Sequence, residues 1–345
     1  MKNNIVNVGL IGLGRIGKMH AKNIYQRLPF LNLKSVADPK PDVEFIQDIG
    51  RVNSFENPEK IIFDQNIDAV VISSPTPTHF DLINKCIKNN KHVFCEKPIS
   101  FSEKEINEII KLMKTQNTIV QVGLNRRFDK EFILLKNKIE EGLIGEPQMI
   151  HITNHDSAIP KFKFLKSSGG MLFDLCIHDF DMLTFITGEN IKEIYVNGAV
   201  FIEQRLKDIK DIDNAIITLE LTNGILCTID SSRQTHFGYD QRIEVFGSEG
   251  MLSVENKSNN LYLLSGKTKT SKSKINESFI ERYESSYLSE LEYFYKSIIN
   301  KGKSTVGPEN ILNAIRVASA GNESIKTNKP VLVEKWIKLI WQLLV

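Results

Sequence analysis

The chain reads as an α/β protein in two parts. A doubly wound parallel sheet comes first, then an α+β domain built on an open, largely antiparallel sheet. Three observations predict this. A glycine-rich turn, Gly12-Leu-Gly14-Arg-Ile-Gly17, directly follows an apolar run. The first third of the chain alternates short apolar runs with helical patterns, as parallel sheets with crossover helices do. Beyond residue 125 longer strand patterns succeed one another, and Asn223-Gly224 between two of them is a strong hairpin signal. A length of 345 residues suits two such domains.

In order, strands are expected at 6–11, 33–37, 69–73, 92–95 and 119–122, with helical patterns at 17–27, 80–90 and 102–115. In the second part, strands are expected at 148–154, 191–200, 215–221, 225–231, 242–246, 251–254 and 261–264. A helix beginning near Gly169-Gly170 and two more at 283–300 and 308–327 complete the pattern, with Pro308 placed at a helix start. The expected boundaries are 1–125 for the first domain and 126–330 for the second, with helix 308–327 as a segment that could pack back on the first. The segment 331–345 is an atypical apolar tail holding both tryptophans, Trp336 and Trp341. It is expected to add a helix or strand to the body or to a subunit partner, a membrane-surface helix being the alternative.

The glycine turn has the G-x-G-x-x-G spacing of a dinucleotide-binding Rossmann fold. Gly12 permits the turn, Gly14 lets backbone approach a pyrophosphate, and Gly17 lets helix and strand pack closely. The helix that follows, with Arg15 and Ile16 in its first turn, offers free N–H groups to phosphate. Asp38 ends the second apolar run, where a ribose-binding acid belongs. Ligands of such sheets sit beyond the carboxyl ends of the strands. Asp38, the loop from Ser73, Ser74 and Pro75 to His79, and Glu96-Lys97 all fall at such ends.

Composition excludes several functions. Hydrophobic residues at 41%, charged residues at 25% and a net charge of +2 describe an ordinary globular protein with no general pull toward nucleic acid or anionic membranes. The densest basic stretch, Lys267, Lys269, Lys272 and Lys274, reads as a solvated hairpin tip, phosphate binding being the alternative. Cys86, Cys95, Cys176 and Cys227 are scattered without metal or redox spacing. No metal is expected. With the first strand starting at once and no apolar run of membrane-spanning length, a cytoplasmic location is expected.

Two places could carry chemistry. Lys97 closes a strand in Cys95-Glu96-Lys97-Pro98, and the proline restricts it to extended geometry; the plain alternative is a surface lysine. Asp174 and His178 are four apart, which on a continuous helix puts both on one face. A carboxylate beside an imidazole orients it and raises its basicity, as a general base for alcohol oxidation requires. The alternatives are a helix-start carboxylate with a core histidine, or a metal set of His178, Asp179 and Asp181.

Together these motifs resemble the glucose–fructose oxidoreductase / inositol dehydrogenase / rhizopine-catabolism family, from Val6 to about Pro330. The resemblance is carried by the glycine turn, Phe94-Cys-Glu-Lys97-Pro98, the run from Gln121 through Arg127 to Asp129, Gly169 through Asp174 and His178 to Asp181, Gly238-Tyr239-Asp-Gln, and Glu281-Arg-Tyr283. The Asn-Arg-Arg-Phe-Asp, Ile-His-Asp-Phe-Asp and Gly-Tyr-Asp-Gln runs match the inositol dehydrogenase branch. The resemblance implies NAD as cofactor, a homotetramer, and oxidation of an inositol or close cyclitol to an inosose. It implies that Lys97 orients substrate, that Asp174 binds substrate hydroxyls and supports the base, and that His178 takes the proton. It also implies a cyclitol pocket lined by Arg127, Asp156, Tyr239 and Tyr283. His155 stands where many relatives carry arginine, which makes it a candidate for altered specificity. Competing readings are an NAD-dependent dehydrogenase of a hexose or other polyol, an NAD-using glycosidase, and a nucleotide-sensing regulator.

Overall fold

The computed structural model describes residues 5–333 apart from 259, 261 and 303. The tail residues Trp336 and Trp341, and Leu261 at the start of an expected strand, lie outside the described residues. The chain divides into two compact units. One comprises the chain up to Asn125 together with Ser285–Leu312, the other Arg126–Glu284 with the chain from Asn313 onward.

The first unit holds six parallel strands: β1 (Val6–Ile11), β2 (Leu31–Ala37), β3 (Asn53–Phe55), β4 (Ala69–Ile72), β5 (His92–Glu96) and β6 (Val120–Gly123). Their order, β3-β2-β1-β4-β5-β6, is that of a doubly wound Rossmann sheet. Central β1 and β4 are apolar almost throughout and buried on both faces, as parallel strands between two helix layers must be. Short, half-exposed β3 and the helices Val43–Ile49 and Glu59–Ile62 were not expected from the sequence. The expected helix at 17–27 is an α-helix only over Arg15–Lys22 and continues as a π-helical segment, Asn23–Arg27. Residues far along the chain finish this core. Leu291 and Phe294, both fully buried, join the cluster around Val8, Leu33, Phe94 and Ile119.

The second unit is built on a seven-stranded sheet of β7 (Pro147–His155), β8 (Ile191–Ala199), β9 (Asn214–Leu221), β10 (Leu226–Ser232), β11 (Asp240–Gly247) and β12 (Met251–Val254), closed by β15 (Val331–Leu332). A separate hairpin pairs β13 (Leu263–Ser265) with β14 (Thr270–Lys272), and Lys267 and Lys269 fall between its strands. The large sheet runs β12-β11-β7-β10-β9-β8-β15. Only β7 and β10 are parallel neighbours; the other pairs are antiparallel. The Asn223-Gly224 turn joins β9 to β10, with Gly224 at φ +91°, where a side chain would be strained.

The sheet has two unlike faces. Ile150, Ile152, Ile217, Ile229 and Val245 are buried on one. The other shows Met149, Ile216, Leu226 and Phe246 to solvent. The helix Pro308–Thr327 starts at its proline as expected, and a Cβ on Gly321 would stand 2.7 Å from Leu172.

The helix expected to begin at Gly169-Gly170 is not continuous. It divides into Met171–Asp174 and Ile177–Thr187, with Leu175 and Cys176 at the break. The i, i+4 argument for Asp174 and His178 therefore does not hold as stated, because the two residues lie on different helices.

Candidate active site

In the first unit the glycine turn is built as its spacing implies. The Gly12 N–H donates to Ala37 O at 2.8 Å, and φ +96° suits only glycine. A Cβ on Gly17 would lie 1.9 Å from Gly12 O, so any side chain there would force strand and helix apart. A Cβ on Gly14 would meet nothing within 4 Å, leaving open space where a pyrophosphate would approach. The helix Arg15–Lys22 has no side-chain cap and no acid in its first turn, so the positive end of its dipole suits an anion. These features fit a dinucleotide.

Asp38 serves the turn as well. Its Oδ2 accepts from Leu13 N–H and its Oδ1 from Lys40 N–H, both at 2.8 Å, which fixes the carboxylate beyond β2. Ser73 Oγ donates to Gly12 O at 2.9 Å and ties β4 to the turn. Ser74 and Pro75 follow on the same loop, and Ser74 Oγ pairs with Thr78 Oγ1 at 2.6 Å.

His79 is placed differently from what its loop suggested. It is buried, with Nε2 2.7 Å from Ser74 O and Nδ1 2.9 Å from Pro98 O. Burial holds its basicity below the ordinary value against those two carbonyls. It joins the Ser74 loop to the segment after Lys97 rather than presenting a ring nitrogen to a ligand. Lys97 itself is half-buried at the end of β5. Glu96 pairs with the buried His20 at 2.7 Å. Glu290 has a carboxylate oxygen within 4.8 Å of the ligand atoms of both. Burial, reinforced by Glu96, pushes the Glu290 carboxyl far above its usual range, so it holds its proton. Nothing in the sequence spacing linked these three residues.

In the second unit, every residue of 171–183 is buried except Asp174 and His178, which are half-exposed. An otherwise buried run thus brings these two polar groups to its surface. The Asp174 carboxylate accepts from Arg233 Nη1 at 3.0 Å.

A buried polar network lies nearby in sequence. Asp179 accepts from Arg126 and from the Asn154 amide. Burial pushes the Asp179 carboxyl up, and Arg126, Asn154 and Gln241 pull it back. Arg126 Nη2 donates to the Tyr239 hydroxyl at 3.1 Å, and the guanidinium lies 5.8 Å from the centre of the Tyr283 ring. Burial opposes the charge on Arg126, but its surroundings outweigh it, and the Asp179 carboxylate beside it holds the guanidinium charged. Burial keeps both phenols protonated, Tyr239 most strongly. The Tyr283 hydroxyl is buried and makes no hydrogen bond among the described residues. Asp156 follows β7, its N–H donating to Ser232 O.

Arg127 takes a separate place. It forms two 2.8 Å hydrogen bonds with Asp181 and lies over the Phe185 ring. With Asp179 held by Arg126 and Asp181 by Arg127, the alternative metal set of His178, Asp179 and Asp181 does not fit. Arg126, Asn154 and Arg233 were not singled out from the sequence, and Asp179 only as a member of that metal set.

His155 lies on the opposite sheet face from Asn154, as neighbours on a strand must. Its Nε2 is 2.5 Å from Asp230 and its Nδ1 3.5 Å from Asp240. It is part of a charged ladder on the open face, away from the Asp179 network.

Fold and site geometry define an NAD-dependent oxidoreductase. The chain belongs to the Gfo/Idh/MocA oxidoreductase family. The model of its NAD-binding Rossmann fold matches residues 6–124, and that of its C-terminal domain residues 132–253. The chain is 36% identical to the myo-inositol 2-dehydrogenase of Thermotoga maritima over 96% of this chain and all of that one. It is 33% identical to the inositol 2-dehydrogenase of Rhizobium meliloti over 95% and 99% of the two chains. Among solved structures, the scyllo-inositol dehydrogenase of Lactobacillus casei with bound NAD(H) and scyllo-inositol superposes with a TM-score of 0.89 at 27% identity, covering 95% of this chain and 99% of that one.

Proposed function

We propose that this protein oxidises myo-inositol, or a close cyclitol, to the corresponding inosose. His178 accepts the hydroxyl proton, Asp174 orients His178 and binds substrate hydroxyls, and Lys97 orients the reacting oxygen. The hydride leaves the same carbon, so one C–H and one O–H bond break while a C=O bond forms. Bound NAD supplies the hydride acceptor.

The observation that carries this reading is the exposure pattern of 171–183, in which only Asp174 and His178 are not buried. The near-full-length likeness to proteins named inositol 2-dehydrogenases supports the substrate class. A polyhydroxylated ring also needs a partner for each buried hydroxyl. Tyr239, Tyr283, Asp156 and Arg127 are the substrate-lining residues of this proposal. The working form is a cytoplasmic homotetramer.

The test is NADH production by purified protein with myo-, scyllo- and D-chiro-inositol beside glucose and galactose. We expect inositols to be oxidised far faster than hexoses, and cyclohexanol to be rejected by orders of magnitude. Turnover of hexoses alone defeats the cyclitol reading and leaves a sugar dehydrogenase. Glycoside cleavage without net NADH marks the glycosidase alternative.

A further inference from the structure

The side chain of Arg233 is completely buried, directly after β10, and none of the roles above uses it except as a neighbour of Asp174. Its Nη1 donates to Asp174 Oδ2 at 3.0 Å. Its Nη2 stands 3.6 Å from Asp211 Oδ2. Asp211 Oδ1 in turn accepts from the Met171 N–H at 2.8 Å. Met171 begins and Asp174 ends the same short helix. One guanidinium therefore reaches both ends of it: the C-terminal end through Asp174, and the N-terminal end through Asp211. The approach is close enough to need glycine. Gly170 sits at φ +89°, and a Cβ there would stand 2.9 Å from Asp211 Oδ1.

As a device for stability alone, this arrangement is poor. Arg233 Nε and Nη2 make no hydrogen bond among the described residues. A buried guanidinium with unmet donors carries a desolvation cost that an apolar side chain of similar size would avoid. What the arginine does provide is a fixed position and a counter-charge for one carboxylate oxygen of Asp174, on a helix of a single turn that cannot hold that side chain rigid by itself.

We propose that Arg233 is a positioning residue for the reaction, clamping the Met171–Asp174 helix so that the Asp174 carboxylate is held where His178 and the substrate need it. The inference rests on the role of Asp174 proposed above.

The experiment compares Arg233→Met, Arg233→Lys, Asp174→Asn and the Arg233→Met/Asp174→Asn double variant. Each is assayed for NADH production from myo-inositol, for NAD affinity by fluorescence titration, and for thermal midpoint. We expect Arg233→Met to lower kcat about 100-fold with NAD affinity unchanged, and to lower the midpoint as well, because Asp211 loses its buried counter-charge. Arg233→Lys should recover part of the rate, because an ammonium can still pair with Asp174 but cannot span to Asp211. The double variant should be no slower than Asp174→Asn alone, because both changes remove one function. Multiplicative losses in the double variant, or wild-type kcat in Arg233→Met beside a disabled Asp174→Asn, would overturn the clamp. So would a rate in Arg233→Met that returns to the wild-type value at temperatures well below its midpoint. If Asp174→Asn itself keeps full turnover, the role of Asp174 fails, and the clamp fails with it.

Discussion

His178 and Lys97 allow the chemistry to be tested one atom group at a time. Replacing either with alanine should lower kcat by about two to four orders of magnitude, the usual scale for a proton-transfer group, and leave the NAD dissociation constant almost unchanged. Because the imidazole must be neutral to accept a proton, the rate should rise with pH through one ionisation; steady-state profiles in the His178→Ala background should lose that limb. Near-full turnover in either variant would remove that residue from the mechanism. At this scale the sequence offered candidates where a motif gathers ionisable groups in a few adjacent positions, as around Lys97 and between Gly169 and Asp181. It was uninformative where partners lie far apart in the chain. Arg126 and Asp179 are 53 residues apart, and Arg233 and Asp174 are 59 apart. Only the folded sheet brings them together. Adjacent Arg126 and Arg127 look interchangeable in one dimension, yet one is buried against Tyr239 and the other pairs with Asp181.

Among the elements, strand β7 shows what alternation decides. It carries Asn154 to Asp179 on one face and His155 to Asp230 and Asp240 on the other. Although burial works against its charge, the carboxylates of Asp230 and Asp240 raise the His155 pKa to about 9. Both carboxyls are held below their usual range despite burial, with His155 the main opposing influence. The sign follows from linkage. A group bound more tightly to its proton in the folded state stabilises fully below its unfolded pKa of about 6.5, and that contribution is lost as pH rises toward 9. The two acids contribute only above about pH 4 and stay constant over this window. We expect the wild-type protein to lose on the order of 1–3 kcal/mol between pH 6 and 9 from this cluster, partial exposure of His155 reducing the upper figure. His155→Gln should flatten that fall. Thermal melts at both pH values, compared between the two proteins, decide it; parallel curves would mean the ladder is inert. The parallel strands were legible because burial on both faces leaves a continuous apolar run. Strand β3 was not, because Asn53 and Ser54 are exposed and carry no such signal. The break at Leu175-Cys176 was hidden too, since every side chain around it suits a continuous buried helix.

For the whole molecule, the open face of the large sheet bears on assembly. Phe246 on β11, Met149 on β7 and Leu226 on β10 are in register across three neighbouring strands and exposed, with Leu226 at 58%. A contiguous apolar stripe of this kind marks an association surface more often than a solvent-facing one. Leu226→Lys should convert the proposed tetramer to smaller species by light scattering while the isolated units keep their circular dichroism. An unchanged mass would move the interface elsewhere.

The first unit is also discontinuous in the chain. Leu291 and Phe294, which complete its core beside Phe94 and Ile119, come after the whole of Arg126–Glu284. A ribosome therefore delivers the nucleotide-binding strands long before the residues that cover them. Until the helix Glu284–Ile299 emerges, the nascent sheet has a bare apolar face that chaperones could recognise. Folding of the first unit is in this sense timed by synthesis of the second, and a transcript cut short before codon 285 would yield a half-covered sheet prone to aggregate rather than a small working nucleotide binder.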